Sequence, residues 1–162
     1  MTIKQFRQLE IERFIHEHPT MPHPESFFRN PKKYNDRTAN GLTQLVKRYI
    51  KFVGGQAERI SSTGRPIDNT KEVKDYLGRT YKIGSVEWIP GTSTKGTADV
   101  SAIIRTKKGT VIPWRIEIKM KDSQRKHQKK YEQSVISAGG QYSIVHSFEE
   151  FTAIYNHLIE TL

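Results

Sequence analysis

An α/β fold with a small mixed sheet flanked by helices is what this sequence predicts, on three observations. From Asn40 the apolar residues Leu42, Leu45, Val46, Tyr49, Ile50 and Val53 recur at the spacing of a buried helix face. Two runs rich in Val, Ile and Trp, 99–106 and 111–120, flank a three-residue loop ending in Gly109, as in a hairpin. Beyond Asp122 the order becomes helix, strand, helix, with Gly139 and Gly140 between the first two. At 162 residues, 35% of them hydrophobic, the chain fits one domain with its own core.

Taken in order, Phe6, Leu9, Ile11, Phe14 and Ile15 predict a short amphipathic helix ending by His18. Pro19, Pro22 and Pro24 then forbid a regular element, and 30–35 reads as loop, so residues 1–37 are expected as an N-terminal extension and 38–162 as the domain. The helix begun near Asn40 stops at Gly54 and Gly55, and a strand follows over 56–61. Residues 62–98, rich in Gly, Thr and Ser, read as an insertion in which Tyr76, Leu77, Tyr81, Ile83, Val86 and Trp88 supply short strand pieces. After the hairpin, a helix is expected from about Ser123, capped by Asp122 or Ser123, with Gln124, Gln128, Tyr131, Val135 and Ala138 along one face. A strand over 141–146 and a capping box from Ser147 to Glu150 lead into a last helix reaching about Glu160.

Composition narrows the chemistry. There is no cysteine, which removes disulfides, thiolate metal sites and thiol nucleophiles. No apolar run has the length of a membrane span, and the first residues do not continue into a signal-peptide core, so a cytoplasmic setting without membrane attachment is expected. Lys and Arg number 27 against 17 Asp and Glu, a net charge of +10. The window from Lys107 to Lys130 holds nine bases and two acids, and such a concentrated positive field suits a polyanion, nucleic acid above all. A solvated basic helix face fits that charge density equally well.

Strand alternation decides what the window can do. Trp114, Ile116, Ile118 and Met120 fall on one face, and Arg115, Glu117 and Lys119 on the other. A loop centred on Lys108 sets Asp99 opposite Glu117, with a bulge at Pro113 able to move the pairing by one residue. Two carboxylates so close repel each other unless a cation lies between them, and oxygen donors suit magnesium or manganese. Lys119, on the same face, is placed to reach water held there. A Glu-x-Lys strand alone is far more often a surface ion-pair ladder. The opposed Asp99, the basic helix that follows and the glycine-rich approach from Gly91 through Gly96 favour the site.

With Asp99 followed after seventeen residues by Glu117, Ile118 and Lys119, in the element order above, the chain resembles the PD-(D/E)xK nuclease superfamily. It is most similar to the virus-type replication-repair nuclease (VRR-NUC) branch and to related phage or mobile-element nucleases. The similarity runs from about Asn40 to Phe151 and includes Gly54, Gly55 and Arg59, the turn from Gly96 to Asp99, and Gln128 with Gly139 and Gly140. It implies a restriction-endonuclease-like αβββαβ core and a DNA nuclease. It also implies a divalent metal, Mg2+ or Mn2+, held by Asp99, Glu117 and the Ile118 carbonyl. Lys119 would orient or deprotonate the attacking water, and Gln128 would position phosphate or water from the next helix. Ala98 stands where the superfamily has its proline, and the first helix offers Asn40, Gln44 and Lys47 where many members carry an acid. Gln44, Glu58 and Arg59 are the accessory candidates.

On this reading Lys107, Lys108, Arg115, Lys121, Arg125, Lys126, Lys129 and Lys130 hold the DNA backbone by charge. A homodimer is one assembly that such folds use. The alternatives are a catalytically inactive nucleic-acid-binding module on the same scaffold and a basic packaging protein. His16, His18 and His23 read as exposed histidines rather than metal ligands, and His127 as a phosphate contact or a surface residue. Trp88 and Tyr131 have the chemistry to stack on bases, but their apolar neighbours predict core packing for both. Ser101 lacks partners for acyl chemistry, and Lys95 precedes Gly96 instead of following it, so Gly91 to Gly96 is not a Walker loop.

Overall fold

The computed structural model describes residues 1–21, 35–61, 64–89, 91 and 94–161. His23, Pro22, Pro24 and most of the expected loop over 30–35 lie outside the described residues. Helices α1 (Ile3–Glu17) and α2 (Ala39–Phe52) come first, then strands β1 (Gln56–Arg59), β2 (Arg65–Asp68), β3 (Lys71–Lys74), β4 (Thr80–Ile83), β5 (Val86–Ile89), β6 (Val100–Arg105) and β7 (Val111–Ile118). Helix α3 (Lys126–Ser137), strand β8 (Gln141–Val145) and helix α4 (Phe148–Thr161) complete the order. The α/β class is as expected.

A four-stranded mixed sheet in the order β1-β6-β7-β8 organises the domain, antiparallel except for the β7–β8 pair that α3 connects. The β6–β7 register runs from Val100 opposite Ile116 to Arg105 opposite Val111, without a bulge at Pro113, and its extension by one residue sets Asp99 across from Glu117. Gly109, at φ 89°, takes the left-handed conformation that the hairpin loop demands.

One sheet face is the core. Val100, Ala102 and Ile104 from β6 and Ile112, Trp114, Ile116 and Ile118 from β7 meet Leu42, Leu45, Val46 and Ile50 of α2 and Phe148, Phe151 and Tyr155 of α4. Trp114 stacks on Phe151 with ring centroids 5.6 Å apart, while its indole N–H donates to Ser143 Oγ at 3.0 Å. Ser147 Oγ accepts the Glu150 N–H as expected, but the Glu150 carboxylate accepts from the His146 N–H, one residue earlier than a capping box requires.

Two regions outside the sheet need description. Within the expected extension, α1 belongs to the core: Phe6 is fully buried, its ring 5.3–5.5 Å from those of Tyr49, Phe52 and Phe148, and buried Glu10 meets Arg48 Nε at 2.5 Å. The expected insertion is a β-ribbon. Strands β2 and β5 pair, β3 and β4 continue the same register, and Asp75 to Arg79 form the tip, where Asp75 Oδ1 accepts the Leu77 and Arg79 N–H groups. Among the described residues, neither face of the ribbon joins the core cluster.

Candidate active site

On the face opposite the core, β7 presents Arg115 and Glu117, and Lys119 follows just beyond the strand. Alternation alone would leave these in water. Helix α3, set against β8, brings Gln128 onto Glu117, which is only 3% exposed. Its position is closely controlled. Lys119 Nζ lies 3.0 Å from Glu117 Oε1, and the Gln128 amide donates to the same oxygen. Lys119 Nζ also donates to Gln128 Oε1 at 3.2 Å, and that oxygen accepts the Arg125 N–H at 2.9 Å.

Gln128 therefore both closes the N-terminus of α3 and joins it to the pair on β7. This is why the helix begins at Lys126 with Arg125 as its cap, three residues later than the sequence suggests: Gln128 satisfies the first free N–H in place of Asp122 or Ser123.

Asp99 sits where β6 begins. Its backbone carbonyl accepts the Ile60 N–H at 2.9 Å, and its Oδ2 accepts the Ile118 N–H at 2.9 Å. The parallel ladder takes the Lys119 N–H to the Val145 carbonyl, so the N–H and C=O of Ile118 face the Asp99 side. Asp99, the Ile118 carbonyl and Glu117 thus meet where β6 and β7 part. Among the described residues, Asp99 Oδ1 and Glu117 Oε2 accept no hydrogen bond. Burial raises the Glu117 carboxyl above the ordinary glutamate range; the Lys119 contact opposes this, and the Asp99 charge adds to it. Burial, then the Glu117 charge, also pushes the Tyr142 phenol up.

Gly96 fixes the approach to Asp99. It has φ 89°, and a Cβ there would lie 2.7 Å from the backbone of His127, so the turn from Thr94 to Thr97 rests directly on the first turn of α3. A cleft of about 520 Å³ opens at this junction. Asp99, Glu117, Lys119 and Gln128 line it together with Lys95, Asp122, Arg125, His127 and Trp88. No family model, curated protein or solved structure matches the chain.

Other sequence candidates are elsewhere. Lys107 and Lys108 occupy the opposite end of the hairpin, roughly 20 Å along the six residues of β6, where Lys107 pairs with Glu160 at 3.3 Å and Lys108 reaches the Thr161 carbonyl. Arg115 lies two residues before Glu117, beside a groove with Tyr131 and Val135. Lys121, Lys126, Lys129 and Lys130 are exposed and do not line the cleft, whereas Arg125, the cap of α3, does so. Gln44 and Glu58 are exposed away from it, and Arg59 Nη1 donates to Asn40 Oδ1 at 2.7 Å. His16 and His18 are exposed, as expected.

Trp88 overturns its expectation of core packing: it is 63% exposed and lines the cleft. Tyr131 is half-buried against Tyr142, centroids 6.4 Å apart. Lys95 and Asp122 are not legible as site residues in the sequence, since their place depends on the contact between Gly96 and α3.

The donors at the junction suit a hard divalent cation. Two carboxylates each keep one oxygen free, and the Ile118 carbonyl lies on the strand edge that faces Asp99, oxygen donors of the kind Mg2+ uses when water and substrate phosphate complete its shell. Among the described residues no group of three His, Asp or Glu side chains gathers, so a cation here would rest on two carboxylates.

Proposed function

We propose that this chain is a divalent-metal-dependent DNA nuclease of the PD-(D/E)xK superfamily, on the VRR-NUC side of it, hydrolysing phosphodiester bonds. The observation that carries the reading is the convergence of Asp99, Glu117, Lys119 and Gln128 in one cleft, with one oxygen of each carboxylate free. The αβββαβ order formed by α2, β1, β6, β7, α3 and β8 supports it, being the core that the superfamily resemblance implies.

Asp99 Oδ1, Glu117 Oε2 and the Ile118 carbonyl would hold Mg2+ or Mn2+, which supplies Lewis acidity toward a phosphoryl oxygen and acidifies water. Lys119 Nζ, held by Glu117 and Gln128, orients the attacking water as an ammonium, or takes its proton after first giving up one of its own. Gln128 keeps that ammonium and the Glu117 carboxylate in register through a single amide. Arg125 and Lys95 in the cleft offer charge to the flanking phosphates, and the exposed lysines of α3 extend this field without reading sequence.

The test is incubation of the protein with labelled duplex, flap, four-way junction and single-stranded DNA in Mg2+, Mn2+ or EDTA. Metal-stimulated cleavage that Asp99→Asn abolishes while DNA binding persists supports the enzyme. DNA binding by the wild type with no cleavage in any metal supports the inactive binding module.

A further inference from the structure

The cleft is lined by an aromatic side chain that stays largely exposed. Trp88 lies on β5 opposite Pro66, 63% exposed, and makes no ring contact among the described residues, whereas the other tryptophan, Trp114, is completely buried. Burying a large apolar side chain contributes roughly 1.5–3 kcal/mol, so an indole left in water forgoes a substantial gain. It lines the same cleft as Lys95, Arg125 and His127 and as Asp99, Glu117 and Lys119.

An aromatic plane beside cations is the arrangement that holds a nucleotide, base on the ring and phosphate on the charge. In paired DNA both faces of an internal base are already stacked on its neighbours. An indole can stack only on a base that has left the helix or ends it.

Resting on the nuclease reading, we propose that Trp88 is a specificity-determining residue that stacks on an unpaired base beside the scissile phosphate. The substrate class is then DNA with a single-stranded flap, gap or splayed end, rather than continuous duplex. The cleft, at about 520 Å³, is within the range of sites for small organic ligands and accommodates one nucleotide with its phosphate. The ribbon supplies the ring from β5, and the end of the β6–β7 hairpin supplies Asp99, Glu117 and Lys119, so recognition and chemistry come from separate segments.

The experiment compares a DNA hairpin bearing a short thymidine overhang with the same hairpin fully paired, titrated in EDTA and followed by tryptophan fluorescence. Trp114 is shielded from solvent, so quenching reports on Trp88. The overhang should quench more strongly than the paired end. Trp88→Ala should weaken binding of the overhang DNA about 5- to 150-fold, the loss of one stacked base, and weaken the paired hairpin, which offers only its terminal pair and loop, far less. Trp88→Phe should restore most of the difference, which a general loss of folding would not allow.

Equal affinity of wild type and Trp88→Ala for the overhang, equal quenching by both DNAs, or binding of neither overturns the proposal. Adding Mg2+ separates the two readings. Cleavage without a Trp88 effect keeps the nuclease and removes the stacking role; a Trp88 effect on binding without any cleavage keeps the stacking role and removes the nuclease.

Discussion

In the β6–β7 hairpin, Ile112, Trp114, Ile116 and Ile118 are at most 5% exposed, whereas in the β2–β5 ribbon Tyr81, Ile83, Val86, Trp88 and Ile89 are 42–63% exposed. Both are antiparallel hairpins with β-branched and aromatic residues in their strands. They differ in what lies against them. The first has α2 and α4 over one face and α3 near the end of the other. Among the described residues, the second has neither face in the core cluster. In the sheet, apolar alternation serves folding, which leaves the opposite face to hold Glu117 and Lys119 rigidly. In the ribbon, the apolar side chains named above stay substantially exposed.

The sharpest way to break this comparison is to remove one aromatic from each region. Trp114→Ala should cost about 3–5 kcal/mol of unfolding free energy by leaving a cavity against Phe151 and an unpaired Ser143 hydroxyl, while Tyr81→Ala should stay within about 0.5 kcal/mol. Urea denaturation measures both. Similar destabilisation by the two would show that the ribbon is packed against the domain after all.

Next in size is Gly96→Ala, at the seam between the approach to Asp99 and α3. An L-residue at φ 89° with its Cβ 2.7 Å from the His127 backbone should cost about 1–3 kcal/mol and loosen Gln128 from Glu117. The thermal midpoint and the cleavage rate should fall together. A variant as active and stable as the wild type would show that the turn does not position α3.

Much of this seam is legible in the sequence, and the reasons are local. The pairing of Asp99 with Glu117 follows from one tight loop and strict alternation, and Pro113 does not disturb it because the ladder accommodates it without a bulge. The buried face of α2 follows from its periodicity, with only Val53 left exposed at the end. What the sequence hides is set by distant contacts. Nothing near Gln128 announces that its side chain reaches Glu117, eleven residues back, so the capping pattern puts the start of α3 too early. Phe6 reads as part of an appendage because its partners Tyr49 and Phe148 are far along the chain. Trp88 reads as core because a strand pattern does not say whether anything covers it.

A smaller effect separates the lysines of α3 from the cleft. Replacing Lys126, Lys129 and Lys130 with Ala should weaken binding to all DNAs alike and flatten the dependence of log K on log salt by up to about 0.9 for each phosphate no longer neutralised. Affinity titrations at several salt concentrations decide it, and an unchanged slope would make these lysines a solvated face.

The smallest expected effect is on pH-dependent stability. Burial raises the Glu117 carboxyl above its ordinary 4.5, so between that value and its raised one the folded chain holds a proton that the unfolded chain has released. Stability in EDTA should therefore fall as pH rises through this window, and Glu117→Gln should remove that part of the slope. Thermal melts over a pH series measure it; the same slope in both proteins would mean that Glu117 is not held as described.

The central claim is that β7 supplies the chemistry, and it is tested most directly by the single-turnover cleavage rate of Lys119→Ala on a labelled DNA flap in saturating Mg2+, beside the wild type. The geometry of Lys119 against Glu117 and Gln128 predicts a fall of about two to four orders of magnitude, the contribution of a positioned acid–base group, with metal affinity undiminished. Lys119→Arg should not restore the rate, because a guanidinium keeps the charge but does not give up its proton. Cleavage by Lys119→Ala at the wild-type rate would contradict the account and return Glu117 and Lys119 to the status of a structural ion pair.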